Sequence, residues 1–346
     1  MPKNIFYSYP VYASFVKNDE NLFKSKYKVF SFHFVQTKRM LLFSFIKQFI
    51  FLCINAFKTE LYISFFAGYS SFLPGVFAFL TGKNHILVLG GTDCSSFPSI
   101  NYGNFRKPIL GWFTYKSIKM ATHLAPVDLS LVRSENTFYD MDSKEQGYEV
   151  FCKGIKKPYT VINIGYDPLV FYHTGIKEKN SFITLAQMTP ANFFRKGIDL
   201  IFDMANKFPD CQFTIVGNTP EMKYNSVPNN VNLLPFVKYE DIRSLYSKHE
   251  FYLQLSIMEG FPSAPCEAML CECIPIVSNV AALPNIVGDT GYILFKRDVQ
   301  ELEMLIKNAM VCDKEVMGEN ARKRIIKLFP TDTRAKLLDL IEVQMK

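Results

Sequence analysis

The sequence predicts an α/β protein of two domains, each a doubly wound parallel sheet, and three observations carry that prediction. Residues 181–294 alternate short apolar runs with segments of helical periodicity. Runs that apolar along their whole length are buried on both faces, which requires a parallel sheet with helices on either side. The first half of the chain shows strand-type runs of the same kind, and 346 residues is long for one core but natural for two of about 160 to 170 residues each.

Taken in order, KNIFYSY (residues 3–9), KYKVFSFHF (26–34), ELYISFF (60–66) and HILVL (85–89) read as strands of the first domain. Between the second and third lies MLLFSFIKQFIFLCINAF (40–57), almost long enough to span a membrane. Lys47 and Gln48 stand at its centre, where a lysine costs roughly 2.5 to 3.5 kcal/mol to insert. A doubly wound domain needs a crossover helix at this place, so the segment is read as a buried helix rather than a membrane-dipping one. VINIGYDP (161–168) marks the passage to the second domain, with Asp167 at the crossover. There SFITLAQM, CQFTIVG, VNLLPFV, FYLQLS, IPIVSN and GYIL read as strands, and KGIDLIFDMANKF, YEDIRSLYSKH and PCEAML as helices. TDTRAKLLDLIEVQMK (331–346) reads as a last helix. The boundaries fall at 1–167, 168–329 and 330–346.

The chemistry concentrates in EGFPSAPCE (259–267), two glutamates with seven residues between them at the point where a strand gives way to a helix. Pro265 has no amide hydrogen and fits only in a first helical turn, so the helix begins near Ser263 with Pro262 just ahead of it. Glu259 is then in the loop and Glu267 in the second turn. A helix start offers unpaired amides and a partial positive charge to a diphosphate. Gly260 lets backbone approach a ligand closely. Each carboxylate can accept from a vicinal diol, one on a sugar ring and one on a ribose. The alternative is a pair of solvated acids near a helix start. Ligands of such sheets bind at the carboxyl ends of the strands, where Glu259 and the loops carrying Lys196 and Lys238 are expected.

EGFPSAPCEAML, preceded by Arg195-Lys196-Gly197 and LYSKHEFYLQLS and followed by IPIVSNVAALPNIVGDTGYIL, resembles the donor half of the family 4 retaining glycosyltransferases. In the first half SFVKNDENLFKSKYKVFSF, LVLGGTDCSSFPSINYG and VINIGYDPLVF are similar to bacterial members that build surface polysaccharides. The resemblance implies the GT-B fold: two Rossmann-like domains facing a cleft, with the C-terminal helix crossing back to the first domain. It implies transfer of a hexose from a nucleotide-diphosphate sugar, UDP- or GDP-linked, to a saccharide or lipid-diphosphate acceptor, with that donor as co-substrate and no other cofactor. Glu259 matches the glutamate that holds hydroxyls of the transferred sugar, Glu267 the one that holds the ribose, and Lys196 the lysine that neutralises the diphosphate. The base is expected against the backbone of Phe236, Val237 and Lys238, and the diphosphate against the turn of Gly260, Phe261, Pro262 and Ser263. In relatives the leaving diphosphate itself accepts the proton, so neither a side-chain nucleophile nor a metal is demanded.

The departures are informative. Ala186-Gln187 stands where relatives carry Gly-Arg, and Arg195 is the residue that could replace the missing cation or simply face solvent. YSYPVYASFVKND replaces the glycine-rich loop after the first strand. Glu272 occupies a helix end where glycine is usual, at a cost of roughly 1 to 2 kcal/mol if it is left-handed. Asp93, in Gly90-Gly91-Thr92-Asp93, could orient an acceptor hydroxyl or assist its deprotonation, or could order its own turn. Asp140-Met141-Asp142 mimics a metal motif but is read as the polar end of a helix. The five histidines show no metal-ligand spacing.

Residues 1–170 hold 19 Lys and Arg against 11 Asp and Glu, whereas residues 171–346 hold 20 against 21. A basic first domain fits an anionic membrane surface or a diphosphate-bearing lipid, or merely a soluble surface; nothing points to nucleic acid. No export signal is visible and the eight cysteines are scattered, which places the protein in the cytoplasm with peripheral contact at the inner face of its membrane left open. Two rival readings share the architecture: a sugar-nucleotide epimerase or phosphorylase, and a non-catalytic partner in a larger complex.

Overall fold

The computed structural model describes residues 3–346, and the chain divides into two units. The first takes the chain up to Glu135 together with Glu145–Ile164 and Asp332–Lys346; the second takes Asn136–Lys144 and Gly165–Thr331. The expected boundary near residue 167 therefore misses an excursion, since 136–144 groups with the second unit.

The first unit is built on five parallel strands, β1 (Asn4–Tyr9), β2 (Lys28–His33), β3 (Leu61–Phe65), β4 (Asn84–Leu89) and β5 (His123–Pro126), in the order β2-β1-β3-β4-β5. Ile5, Phe6 and Tyr7, Leu61 to Ile63, and Ile86 to Leu89 are fully buried, as a sheet covered on both sides requires. The chain steps from β1 to β2 in one direction and from β2 through β3 and β4 to β5 in the other. Right-handed crossovers then put the helix Ser14–Lys24 on one face and the helices Leu41–Asn55, Tyr69–Thr81 and Pro108–Met120 together on the opposite face. A short antiparallel pair, β6 (Ser134–Glu135) and β7 (Glu145–Gln146), closes the excursion.

The C-terminal helix Lys336–Gln344 belongs to this unit. Arg334 fixes its approach with a bidentate bond to the buried Asp19 carboxylate, 2.7 Å on each arm, and a third bond to the Ile162 carbonyl. Buried guanidinium and carboxylate satisfy each other here, which is the condition for burying either.

The helix Leu41–Asn55 is where expected but is not a buried helix. It turns its polar residues inward: Gln48 is fully buried and donates to Ser8 Oγ and the Ser70 carbonyl, and Ser44 donates to the Val35 carbonyl. Leu42, Ile50 and Ile54 face outward and are more than half exposed. The crossover places this helix against Ser8 and Ser70, and hydrogen bonding there decides its rotation.

The second unit carries six parallel strands, β8 (Glu178–Leu185), β9 (Gln212–Asn218), β10 (Val231–Pro235), β11 (His249–Gln254), β12 (Ile274–Ser278) and β13 (Tyr292–Leu294), in the order β10-β9-β8-β11-β12-β13. The strand order reverses between β8 and β11, which are paired neighbours, so the topological switch point lies between them. The helix Ser263–Leu270 starts at Ser263 with Pro262 at its N-cap, as Pro265 dictates. Its end is a left-handed cap despite the missing glycine: Glu272 has φ 62°, and the Cys273 amide reaches back to the Ala268 carbonyl at 3.0 Å. All eight cysteines are free, six of them buried.

Candidate functional site

The loops at the carboxyl ends of β8 and β11 flank the switch point, and they carry Lys196 and Glu259. Thr189 caps the helix Pro190–Arg195 through the Asn192 amide, and the chain then turns through Gly197 at φ 70°. A Cβ on Gly197 would lie 2.5 Å from the Leu255 carbonyl oxygen, so only glycine lets the two loops touch. Two residues away on each loop the Ile257 amide donates to the Arg195 carbonyl at 2.8 Å. Loop β8 and loop β11 are thus joined by backbone, and Lys196 is delivered to Glu259.

Lys196 Nζ and Glu259 Oε1 form a close ion pair. Gln254, at the end of β11, donates to the same Oε1 at 2.9 Å and to Ser256 Oγ at 2.8 Å, and accepts from the Tyr252 hydroxyl at 2.8 Å. Burial pushes the Glu259 carboxyl up. The Lys196 and Arg195 charges and hydrogen bonds from Lys196 and Ser256 outweigh it and hold the group below its ordinary value, so Glu259 is an anion at neutral pH. An ammonium has three donors, and the bond to Glu259 leaves capacity for phosphate oxygens.

Glu267 has the opposite environment. It is 8 % exposed on the helix Ser263–Leu270, with the Tyr246 hydroxyl 3.5 Å from Oε2. Burial raises its carboxyl to about 7, the Tyr246 bond lowering it only in part. Tyr246 and Tyr252 pack edge to face at 5.9 Å, and burial first, with the two glutamate charges adding to it, pushes the Tyr252 phenol up. A continuous buried path therefore runs from Glu267 through Tyr246, Tyr252 and Gln254 to Glu259.

Arg195 donates from Nε and Nη2 to Asn192 Oδ1, while Asn192 Nδ2 donates to the Gln187 carbonyl. Its guanidinium is thereby tied to the Ala186-Gln187 turn where relatives were expected to carry an arginine, and its charge acts on Glu259. Phe236 is 83 % exposed after the edge strand β10, and Lys238 is the N-cap of the helix Tyr239–Lys248. Tyr239, next in the chain, feels the Glu267 charge, which raises its phenol after burial.

Other expected residues are placed differently. Phe261 is buried, stacked on Tyr166 at 6.5 Å and edge-on to Phe329 at 5.0 Å, so its side chain is engaged in packing. Gly260 and Pro262 are buried beside it, and Ser263 Oγ accepts from the Tyr166 hydroxyl at 3.1 Å. The Ser263 and Ala264 amides stand at the helix start, beyond reach of intrahelical acceptors. Asp93, in the first unit, is fully buried and accepts from the amides of Ala67, Gly90 and Gly91 at 2.8 to 3.1 Å. Both of its oxygens order the loop, which is a positioning role. Asp140 and Asp142 lie in an irregular loop, not at a helix end.

Three residues escaped the sequence reading. Gln254 and Ser256 were visible as polar interruptions of an apolar strand, the signal that could have found them. Asn136 was not: it is buried, donates to the Ile257 carbonyl at 2.8 Å, and accepts from the Phe138 and Tyr139 amides. It pins the 136–144 excursion on the loop bearing Glu259, and Tyr139 packs edge to face on Phe194 beside Arg195.

The two parallel sheets, with a C-terminal helix returned to the first unit, define the GT-B fold. Residues 174–324, which hold both glutamates and Lys196, match the family model described as glycosyl transferases group 1. Among curated proteins the chain is 32 % identical over 83 residues to the O-antigen chain mannosyltransferase B of Escherichia coli, covering 24 % of this chain and 22 % of that one. It is 30 % identical over 115 residues to the capsular polysaccharide biosynthesis glycosyltransferase CapM of Staphylococcus aureus, 32 % of this chain and 30 % of that one. A longer match, 23 % identical over 186 residues, is to a component of the phosphatidylinositol N-acetylglucosaminyltransferase of Arabidopsis thaliana, 51 % of this chain and 41 % of that one. The matches span less than half the length of these relatives. Among solved structures, Anabaena Alr3699/HepE in complex with UDP-glucose superposes with a TM-score of 0.70 at 12 % identity, covering 99 % of each chain.

Proposed function

We propose that the protein is a retaining, metal-independent glycosyltransferase of family 4 that moves a hexose from a nucleotide-diphosphate sugar, UDP- or GDP-linked, to a saccharide or lipid-diphosphate acceptor in polysaccharide or glycoconjugate synthesis. The observation that carries this reading is the pairing of Lys196 with Glu259 at the switch point of the second sheet, in a stretch matching a group 1 glycosyl transferase model. The solved neighbour named for its UDP-glucose complex supports a nucleotide-sugar donor, and the mannosyl- and N-acetylglucosaminyltransferase relatives support a hexose.

Glu259, held ionised, accepts from hydroxyls of the transferred sugar, and Glu267 accepts from the ribose. The base lies along the backbone of 236–238. Lys196, Arg195 and the amides of Ser263 and Ala264 receive the diphosphate. In the reaction the acceptor oxygen bonds to the anomeric carbon as the bond from that carbon to the phosphate oxygen breaks. The departing oxygen takes the acceptor proton, and the cations stabilise its growing charge. Arg195 takes the place of the arginine that Gln187 replaces.

A thermal-shift panel of UDP and GDP sugars tests the reading, since a donor at about 100 times its dissociation constant stabilises by roughly 2.7 kcal/mol. Glu267→Ala should weaken the bare nucleotide, and Glu259→Ala should weaken the intact donor far more than the nucleotide. No shift with any donor would favour a non-catalytic partner in a larger complex, and equal losses for both ligands in both variants would defeat the role assignment.

A further inference from the structure

We propose that the outer face of the three helices Leu41–Asn55, Tyr69–Thr81 and Pro108–Met120 docks on an anionic lipid bilayer. The helix Leu41–Asn55 is inverted relative to a globular one: its buried positions are Ser44, Gln48, Leu52 and Asn55, and its exposed ones, Lys47 and Cys53 apart, are large apolar residues such as Leu42, Ile50 and Ile54. Burying the polar side and presenting the apolar side is the arrangement of a helix whose outer surroundings are themselves apolar. The neighbouring helices continue the surface with Phe79 and Leu80, 77 % and 72 % exposed, and with Ile109 and Trp112 beside a shallow apolar depression. Ring contacts of Phe49 with Phe77 at 5.7 Å, and of Phe72 with Trp112 at 5.7 Å, join the three helices into one face.

Charge identifies what covers it. Residues 34–122 hold nine Lys and Arg against two acids, Glu60 and Asp93, and Asp93 is fully buried. Lys47 lies over the Phe43 ring at 4.3 Å and Lys116 over Trp112 at 5.5 Å, so ammonium groups stand among the exposed rings, the geometry of side chains that reach from an acyl boundary to headgroups. A second copy of the chain would bring this positive face against itself. Anionic headgroups over an acyl layer complement both its charge and its apolarity. Among the described residues no helix is long and apolar enough to cross a membrane, so the face lies on the bilayer.

The inference concerns the first unit alone and stands apart from the donor reading, because vesicles are added to the full chain without nucleotide sugar. Trp112 is the chain's single tryptophan and reports directly. With vesicles of phosphatidylcholine and phosphatidylglycerol at low salt, we expect co-sedimentation and a blue shift of Trp112 emission, both much weaker with phosphatidylcholine alone. Lys47→Gln with Lys116→Gln should lower partitioning about thirtyfold, from roughly 1 kcal/mol per basic residue. Ile50→Ser with Ile54→Ser should abolish the salt-resistant part while leaving the thermal midpoint unchanged, since both side chains are exposed. No binding to either vesicle would overturn the proposal. So would a dimer in sedimentation equilibrium that the two serine substitutions dissociate, or equal affinity for neutral and anionic vesicles.

Discussion

Donor binding should be coupled to a proton at Glu267, and the size of the coupling follows from its burial. In the free protein the carboxyl sits at about 7, against an ordinary 4.5. Ribose hydroxyls donate to a carboxylate, so the ionised form is the one competent to bind. At pH 6 about a tenth of the protein carries it, and at pH 8 about nine tenths, so apparent affinity should be about tenfold weaker at pH 6, or about 1.4 kcal/mol. The sign also runs through stability. Between about 4.5 and 7 the folded chain holds a proton that the unfolded chain has lost, so this contribution is complete below the lower value and disappears as pH rises through the upper one. Isothermal titration with UDP-glucose or GDP-mannose, whose diphosphates do not titrate in this range, gives both dissociation constant and proton count when run in buffers of different ionisation enthalpy. Binding should be accompanied by release of up to one proton near pH 6.5, and Glu267→Gln should eliminate both the release and the pH slope. A wild-type dissociation constant flat from pH 6 to 8, or an equal slope in the Gln variant, would refute the reasoning.

Two further predictions concern the junction of the β8 and β11 loops. Gly197→Ala should destabilise by more than the roughly 1 to 2 kcal/mol of a left-handed alanine, because its Cβ also meets the Leu255 carbonyl, whereas Gly175→Ala, at φ 84° in open space, should cost only the conformational part; equal falls in melting midpoint for the two variants would show that the loops are not locked there. Lys196→Ala should reduce turnover at saturating donor by about 10² to 10³ with a folded protein by circular dichroism, and a loss below fivefold would remove Lys196 from leaving-group stabilisation.

The strands of both sheets were legible because buried parallel strands are apolar along their length, and Pro265 located the start of the helix carrying Glu267 through a missing amide. Glu259 and Lys196 were legible as residue types near strand ends. Their direct pairing was not, because it depends on the Leu255 carbonyl meeting Gly197, a contact 58 residues apart in sequence. Neither was the Gln254–Tyr252–Tyr246 path between the glutamates, which exists only once β11 and the helix Tyr239–Lys248 are packed together. Asp93 offered a carboxylate in a suggestive loop, and only the fold shows its oxygens consumed by three amides.

By itself the sequence determined which segments become buried strands, where the donor-side helix begins and which acids and cations stand at strand ends, because backbone geometry and hydrophobic periodicity act over a few residues. The tertiary structure alone decided that Gln48 turns inward to Ser8 and Ser70 while Ile50 and Ile54 turn outward, that Asn136 joins the second unit, and that one glutamate is held ionised while the other is held near neutrality. Those outcomes depend on partners distant in the chain and on how far each group is withdrawn from water, neither of which local periodicity encodes.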